Sequence, residues 1–170
     1  MNKRLQDKAI IVVGAGTRGE GVGNGKAAAI QFAREGARVL CVDQDGSAAE
    51  STADTIRQEG GRAEVVVADI VNADDCERTV AACLEHFGKV DVLHNNVGVV
   101  SGAEIVTTSE EDWDKTFDPN VKGMFLMCKQ VIPRMVDQGG GSIINVSTIS
   151  SIRPGPFAAY AASKGADEEK

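Results

Sequence analysis

Nowhere in this 170-residue chain do two cysteines form a CxxC pair. Cys41, Cys76, Cys83 and Cys128 are scattered, and His86 and His94 do not complete a ligand set with them. Neither a zinc site nor a disulfide framework is therefore expected. Cys76 and Cys83 share a helical stripe with Val80, Leu84 and Phe87, which points to packing. Positive charge is also in short supply: 18 Lys plus Arg stand against 25 Asp plus Glu, a net charge of −7, with no basic cluster. That disfavours nucleic acid and anionic membrane surfaces as partners. The N-terminus is basic, but its apolar run is broken at Gly14, too short for a signal peptide or a membrane span. A cytoplasmic protein is expected. Repeats, linkers and low-complexity tracts are missing too, and an apolar content of 42% suits a single domain over 1–170 with a real core.

What the chain does contain is a regular alternation. Ala9–Val13 (AIIVV) is a short β-branched run ending at glycine, which predicts a buried strand. Residues 27–36 carry helical periodicity and end at Gly36. Arg38–Val42 predicts a second strand, Ser47–Glu59 a helix closed by Gly60 and Gly61, and Ala63–Ala68 a third strand. Asn72 suits the N-cap of a helix that runs to Phe87 and is stopped by Gly88. Val90–Leu93 predicts the fourth strand. Ser109 with Asp112 has the spacing of a capping arrangement. Beyond it Trp113, Phe117, Val121, Met124 and Cys128 recur at helical spacing, and Trp113 is expected in the core. Pro119 should kink or split this helix just before Asn120. Ser142–Val146 predicts the fifth strand and PFAAYAASKGA the start of a last helix. Strands and helices alternating in this way predict an α/β fold with a doubly wound parallel sheet, its ligand at the carboxyl ends of the strands.

The first strand runs into GAGTRGEGVGNGKAAA (14–29). Gly14, Gly16 and Gly19 match GxGxxG between a strand and a helix, the context in which that motif signals dinucleotide binding. Glycine lets the backbone come close to a pyrophosphate, and the helix N-terminus offers oriented N–H groups. Six glycines within residues 14–25 carry an entropic cost that a plain surface turn does not require. Asp43 closes the second strand 18 residues after Gly25, where a carboxylate can accept both hydroxyls of an adenosine ribose and so select NAD. Arg18 argues for the 2′-phosphate of NADP. A carboxylate about 4 Å from a phosphate is, however, disfavoured by up to about 4 kcal/mol at an effective dielectric of about 20, so NADP is the less favoured cofactor. His94 is expected to be a satisfied strand-end side chain rather than a base.

Five ordered motifs together resemble the short-chain dehydrogenase/reductase family across essentially the whole chain. Gly14 followed by Gly23-Asn24-Gly25 looks like the family's glycine signature, with TRGEGV (17–22) as extra residues in the turn. Asp69-Ile70 is similar to the adenine-side contact after the third strand. Asn95-Asn96-Val97-Gly98 resembles NNAG, with Val for Ala. Asn120 in NVKG looks like the active-site Asn, and Tyr160 with Lys164 matches YxxxK. The resemblance implies a Rossmann-type sheet of order 3-2-1-4-5. It also implies a cofactor held by Gly14, Gly16, Thr17, Arg18, Gly23, Gly25, Asp43, Asp69, Ile70, Asn95, Asn96, Gly98, Tyr160 and Lys164. Which glycines of the lengthened turn touch phosphate is left open.

Tyr160 and Lys164 lie one turn apart on one helix face, so the ammonium can stabilise a phenolate. A phenol titrates near 10 and exchanges its proton poorly at neutral pH without such help. The resemblance implies that Tyr160 transfers a proton and Lys164 also holds the nicotinamide ribose. Ser147 or Thr148 orients the oxygen of an alcohol or ketone, and Asn120 supports a water relay. Counting forward from Asn145 selects Thr148; counting back from Tyr160 selects Ser147. Adjacent strand residues face opposite sides, so only one of the two is expected to serve. Family members continue well past this Lys, whereas here Gly165-Ala166 is followed by DEEK. The expectation is a C-terminally incomplete member lacking the last strands, with much of its substrate surface and dimer helix gone and any homo-oligomer weakened. An NAD-dependent oxidoreductase acting on an alcohol or carbonyl stands first. The alternative is an inactive dinucleotide-binding fragment or regulatory partner.

Overall fold

The computed structural model describes residues 3–17, 19, 21–102, 104–153 and 155–166. Arg18 and the DEEK ending, both singled out above, lie outside the described residues. The chain runs β1 (Ala9–Val13), α1 (Asn24–Arg34), β2 (Arg38–Asp43), α2 (Gly46–Gln58), β3 (Arg62–Val67), α3 (Ala73–Phe87) and β4 (Val92–Asn95). It continues through α4 (Glu110–Phe117), a π turn (Asp118–Lys122), α5 (Gly123–Asp137), β5 (Ser142–Asn145), a short 3-10 turn (Ile149–Ser151) and α6 (Ala158–Gly165). All strand pairs are parallel, in the order β3-β2-β1-β4-β5. The doubly wound sheet of order 3-2-1-4-5 is thus present. Val13 sits opposite both Val42 and Asn95, and Asn95 opposite Asn145, so β1, β4 and β5 end flush and β2 runs one residue further, to Asp43. The loops that leave those ends converge above one rim.

Helices on both faces explain why β1 is apolar at every position: all five residues are 1% exposed or less. Ile11, Val13, Leu40 and Leu93 pack under α3 and α5 through Val80, Cys83, Phe87, Met127 and Val131. Ile10, Val12, Val39 and Cys41 pack under α1 and α2, where Ala29, Ala33, Ala53 and Ile56 meet them. The cysteines behave as packing groups. Burial pushes the Cys41 and Cys83 thiols up to about 12 and that of Cys76 to about 11. Among the described residues no helix is long and apolar enough to cross a membrane.

Three of the six α-helices start on a side-chain cap. Asp45 accepts from Ser47 and Ala48, Asn72 from Asp74 and Asp75, and Ser109 from Asp112. Gly88, at φ +78°, closes α3 in the left-handed conformation with its N–H on Leu84.

Four expectations need correction or detail. The fourth strand slides by two residues, to Val92–Asn95. Gln138 takes both the N–H and the C=O of Val90, at 3.2 and 2.6 Å, and the Asp91 carboxylate takes the Ala9 N–H at 2.8 Å. Trp113 is not in the core: it is 37% exposed and stacks on Phe117 with ring centroids 4.3 Å apart. Helix α4 is short, and Thr116 is the residue it buries. Pro119 does interrupt its helix, as a π turn in which the Gly123 N–H reaches back to the Asp118 carbonyl. His94 is buried edge-to-face on Phe32, and its Nδ1 has no hydrogen-bond partner, so it is not the satisfied side chain expected. It faces the apolar side under α1, and burial pushes its pKa down.

Candidate active site

A cavity of about 400 Å³ opens at the carboxyl ends of the strands. It brings together eleven of the sequence-predicted residues: Gly14, Gly16, Asp43, Asp69, Ile70, Asn96, Gly98, Ser147, Thr148, Tyr160 and Lys164. Thr17, Gly23, Gly25, Asn95 and Asn120 do not border it; Asn95 and Asn120 line a small neighbouring pocket with Pro119 and Lys164.

On one side the rim is made of main chain. Gly14 takes φ +73°, and both it and Ala15 donate to the Val42 carbonyl, at 2.8 and 3.0 Å. A Cβ on Gly25 would lie 1.9 Å from the Gly14 carbonyl oxygen, so α1 can press against the turn only with glycine there. The Asn96 side chain donates to that same carbonyl at 3.3 Å. Thr17 Oγ1 accepts the Gly23 N–H at 2.9 Å and ties off the long turn. Helix α1 starts at Asn24, earlier than its apolar pattern suggests, and Gly23 gives it no side-chain cap. Its first-turn N–H groups and the positive end of its dipole are left to the cavity, which Asn24 borders.

Asp43 stands beside this turn. One carboxylate oxygen accepts from Gly16 N at 2.9 Å, the other from Asp45 N at 3.1 Å. A Cβ on Gly16 would come within 2.8 Å of that carboxylate, so Asp43 and the turn fit only in glycine's absence of a side chain. Asp69 forms the opposite wall through a tight turn, accepting from Val71 N at 3.1 Å. Ile70 packs against Gly123, where a Cβ would meet its Cδ1 at 2.5 Å.

The other side of the rim is made of side chains. Lys164 is only 4% exposed, and its ammonium donates to the carbonyls of Val97 and Val146 at 2.9 and 2.7 Å. It is thereby fixed between the loops that leave β4 and β5. Tyr160 borders the cavity one turn earlier, with its hydroxyl 3.7 Å from where a Cβ on Gly98 would sit. Asn120 is 2% exposed. Its Oδ1 accepts from Val99 N at 2.8 Å, and its Nδ2 donates to Val99 O and Ser163 Oγ, each at 2.9 Å. Asn95 does not border the cavity. Its Nδ2 bridges to Asn145 at 3.0 Å, and its buried Oδ1 has no partner.

Ser147 and Thr148 both border the cavity, so position alone does not choose between them. The strand ends at Asn145, so the alternation has lapsed by these positions. Ser147 Oγ donates to the Lys164 carbonyl at 2.8 Å, whereas Thr148 Oγ1 accepts the Ser150 N–H at 3.4 Å. Asn24, Gln44, Val97, Val99, Pro119 and Val146 also border the cavity and were not anticipated. Asn24 lies inside the quoted glycine motif and Val97 inside the Asn95–Gly98 motif; the other apolar ones carry no chemical signal that a sequence could display. Among the described residues no group of three His, Cys, Asp or Glu is placed to hold a metal ion.

The arrangement has close relatives. A 2-(R)-hydroxypropyl-CoM dehydrogenase of Xanthobacter autotrophicus is 37% identical over 164 residues, covering 94% of this chain and 64% of that protein. An uncharacterized oxidoreductase of Thermotoga maritima is 42% identical over 144 residues, covering 85% of this chain and 55% of that protein. The chain thus spans roughly three-fifths of the length of the curated relatives it matches. Among solved structures, a protein from Burkholderia xenovorans assigned as a short-chain dehydrogenase/reductase superposes with a TM-score of 0.92 at 41% identity, over 96% of this chain and 65% of that one. An NAD+-bound xylitol dehydrogenase superposes at 0.89 with 31% identity, over 96% and 62%. The short chain dehydrogenase model matches residues 8–169, and the chain belongs to that family.

Proposed function

We propose that residues 1–170 form one nicotinamide-dinucleotide-binding domain of an oxidoreductase that interconverts a small alcohol and the corresponding carbonyl, with NAD preferred over NADP. One observation carries this: Tyr160 and Lys164 border the same cavity as the glycine turn and Asp43. The residues suit such a cofactor. The α1 N-terminus lacks a side-chain cap, and Gly25 keeps the turn clear, so a pyrophosphate would meet free N–H groups there. Gly14, Gly16, Thr17, Gly23 and Gly25 would build that cradle. Asp43, already oriented by two backbone N–H groups, would accept the ribose hydroxyls. Asp69 and Ile70 would flank the adenine, and Asn96 and Gly98 the nicotinamide side, with Asn95 bracing the strand beneath.

When bound, the nicotinamide supplies hydride transfer to or from the carbinol carbon. The chain's own residues handle the proton and the geometry. Tyr160 exchanges a proton with the substrate oxygen from the cavity wall. Lys164, pinned by two carbonyls on the helix that carries Tyr160, would stabilise the phenolate and hold the nicotinamide ribose. Of the two hydroxyls, Thr148 is favoured for the substrate oxygen: its oxygen accepts from Ser150 while its proton stays available, whereas the Ser147 proton is spent on the Lys164 carbonyl. Asn120 uses both amide protons within the protein, so its part is to hold Val99 and the π turn in place beside any water relay.

Equilibrium titration with NAD and NADP, followed by alcohol-dependent reduction of NAD over a panel of small secondary alcohols, tests the proposal. Tighter NADP binding would overturn the cofactor preference. Binding without turnover for any alcohol would favour a dinucleotide-binding protein with no reaction of its own.

A further inference from the structure

Ser163 is completely buried, yet neither borders the cavity nor packs as an apolar residue would. Its hydroxyl accepts from Asn120 Nδ2 at 2.9 Å and donates to the Tyr160 carbonyl at 2.9 Å. Back-bonding to a carbonyl one turn earlier is ordinary for a helical serine. Accepting at the same time from a residue 43 positions away is not. Asn120 in turn clamps Val99 through both its N–H and its C=O. Four positions earlier on the same helical path, Thr116 Oγ1 accepts the Ser101 N–H at 3.1 Å, while its own proton goes to the Asp112 carbonyl at 3.0 Å. Val99, through both backbone groups, and Ser101, through its N–H, are therefore held by side chains of α4 and the π turn. Ser163 is where that held segment joins the helix carrying Tyr160 and Lys164.

We propose that Ser163 is a positioning residue, whose hydroxyl locks the π turn and the Val97–Ser101 segment to α6 so that this side of the cavity forms as one unit. The hydrogen bonds run in one direction, from the Asn120 amide through the Ser163 hydroxyl to the Tyr160 carbonyl. The hydroxyl has one proton and accepts once, so no water is needed to complete the link. Removing the hydroxyl strands a buried Asn120 proton, and Asn120 can recover it only by rotating away from Val99. A displaced Val99 moves Val97 and Gly98 with it, and the Val97 carbonyl is one of the two holding Lys164. The lysine and the segment beside the Tyr160 hydroxyl would then loosen together.

The test compares the 170-residue chain with Ser163→Ala and Ser163→Cys, which keeps the volume with a weaker donor. Amide exchange is read without ligand, then affinities for NADH and ADP-ribose. In Ser163→Ala, exchange at the Val99 amide and through α6 should rise by about tenfold or more, with residues 9–43 unchanged as an internal check of folding; Ser163→Cys should fall between. Because ADP-ribose lacks the nicotinamide, its affinity should hold within about twofold while that for NADH falls by about fivefold to tenfold. Faster exchange confined to α6, or no change at Val99, overturns the lock, and so does equal weakening of both ligands. Only the ligand arm rests on the proposed cofactor. Should the unaltered chain fail to bind ADP-ribose, the cofactor proposal fails, and the Val99 amide decides the lock by itself.

Discussion

The two sides of the cavity rim are built by different means. The side around Gly14 and Asp43 is main chain shaped by glycine: a turn, a helix end without a side-chain cap, and one carboxylate anchored by N–H groups. Its contacts join β1 mainly to the turn and helix that follow it and to the next strand, with one long-range tie from the Asn96 amide to the Gly14 carbonyl. The side around Tyr160 is stitched by side chains across long stretches of chain. Lys164 reaches back 67 positions to Val97, Asn120 forward 43 to Ser163, and Asn95 forward 50 to Asn145. Closing such separations costs chain entropy before any contact forms. The first side is a local device that tolerates changes elsewhere in the sheet; the second exists only when β4, β5 and α6 are all in place.

The largest test of this contrast sits on the stitched side. Tyr160→Phe keeps the ring and removes the proton, so turnover should fall by a factor on the order of 10² or more, with cofactor affinity barely altered. Undiminished turnover would mean that the Tyr160–Lys164 pair is structural, leaving the main-chain side as the whole of the function.

Next come two glycines, one on each side. Gly25→Ala places a Cβ 1.9 Å from a backbone oxygen that cannot yield. It should cost about 1–3 kcal/mol in a denaturant titration and weaken ADP-ribose by about tenfold or more. Gly98→Ala meets nothing closer than 3.7 Å, so its stability should stay within about 0.5 kcal/mol of the parent. If the two variants lost equal stability, the turn would not be the tight element described above.

The same contrast governs how much could be read before any coordinates. The main-chain side follows from local pattern: AIIVV is β1 to the residue, and the Asn72 and Gly88 caps of α3 and the sheet order are as expected. Glycine spacing and a strand-end Asp are local signals, and those residues meet at one cavity. The stitched side was legible as a set of residues but not as a mechanism of assembly. Nothing adjacent to Ser163 announces that it bonds Asn120, and nothing near Val90 announces that Gln138 will occupy its backbone and push β4 two residues along. Trp113 failed for a related reason. Helical spacing places a residue on a stripe but cannot say whether a neighbour covers that stripe, and here Trp113 rests on Phe117 facing solvent.

Asp43 gives a smaller and sharper test of the main-chain side. Asp43→Ala should erase the preference for NAD over NADP, a change of about tenfold in the ratio of dissociation constants, since the repulsion of a 2′-phosphate leaves with the carboxylate. The substitution also releases the N–H groups of Gly16 and Asp45, so some loss of affinity for both cofactors accompanies it. Titrating both against the variant separates the two effects. An unchanged ratio would remove Asp43 from cofactor selection.

The last test comes from the amino end of the sheet, remote from either side of the rim. Asp91 precedes β4 and accepts the Ala9 N–H at 2.8 Å, with the Lys8 and Lys89 ammonium groups at 3.1 and 2.8 Å. Burial pushes its carboxyl up, but Lys89, the Ala9 N–H and Lys8 outweigh that and hold it below the usual carboxylate range. A group whose folded pKa lies below its unfolded value contributes stability that is fully present above the unfolded value, about 4 for Asp, and is lost as pH falls through the folded one. Asp91→Asn should therefore cost about 1–2 kcal/mol near neutral pH. The gap should stay constant down to about pH 5 and close progressively below about pH 4. Urea titrations of both proteins from near neutral pH down to about pH 2 measure it, and ADP-ribose affinity near neutral pH should be the same for the two. A gap that persisted unchanged into strong acid would show that packing, not the charge on Asp91, joins β1 to β4. A loss of ADP-ribose affinity would show that the main-chain side depends on the far end of the sheet and is not the local device its contacts describe.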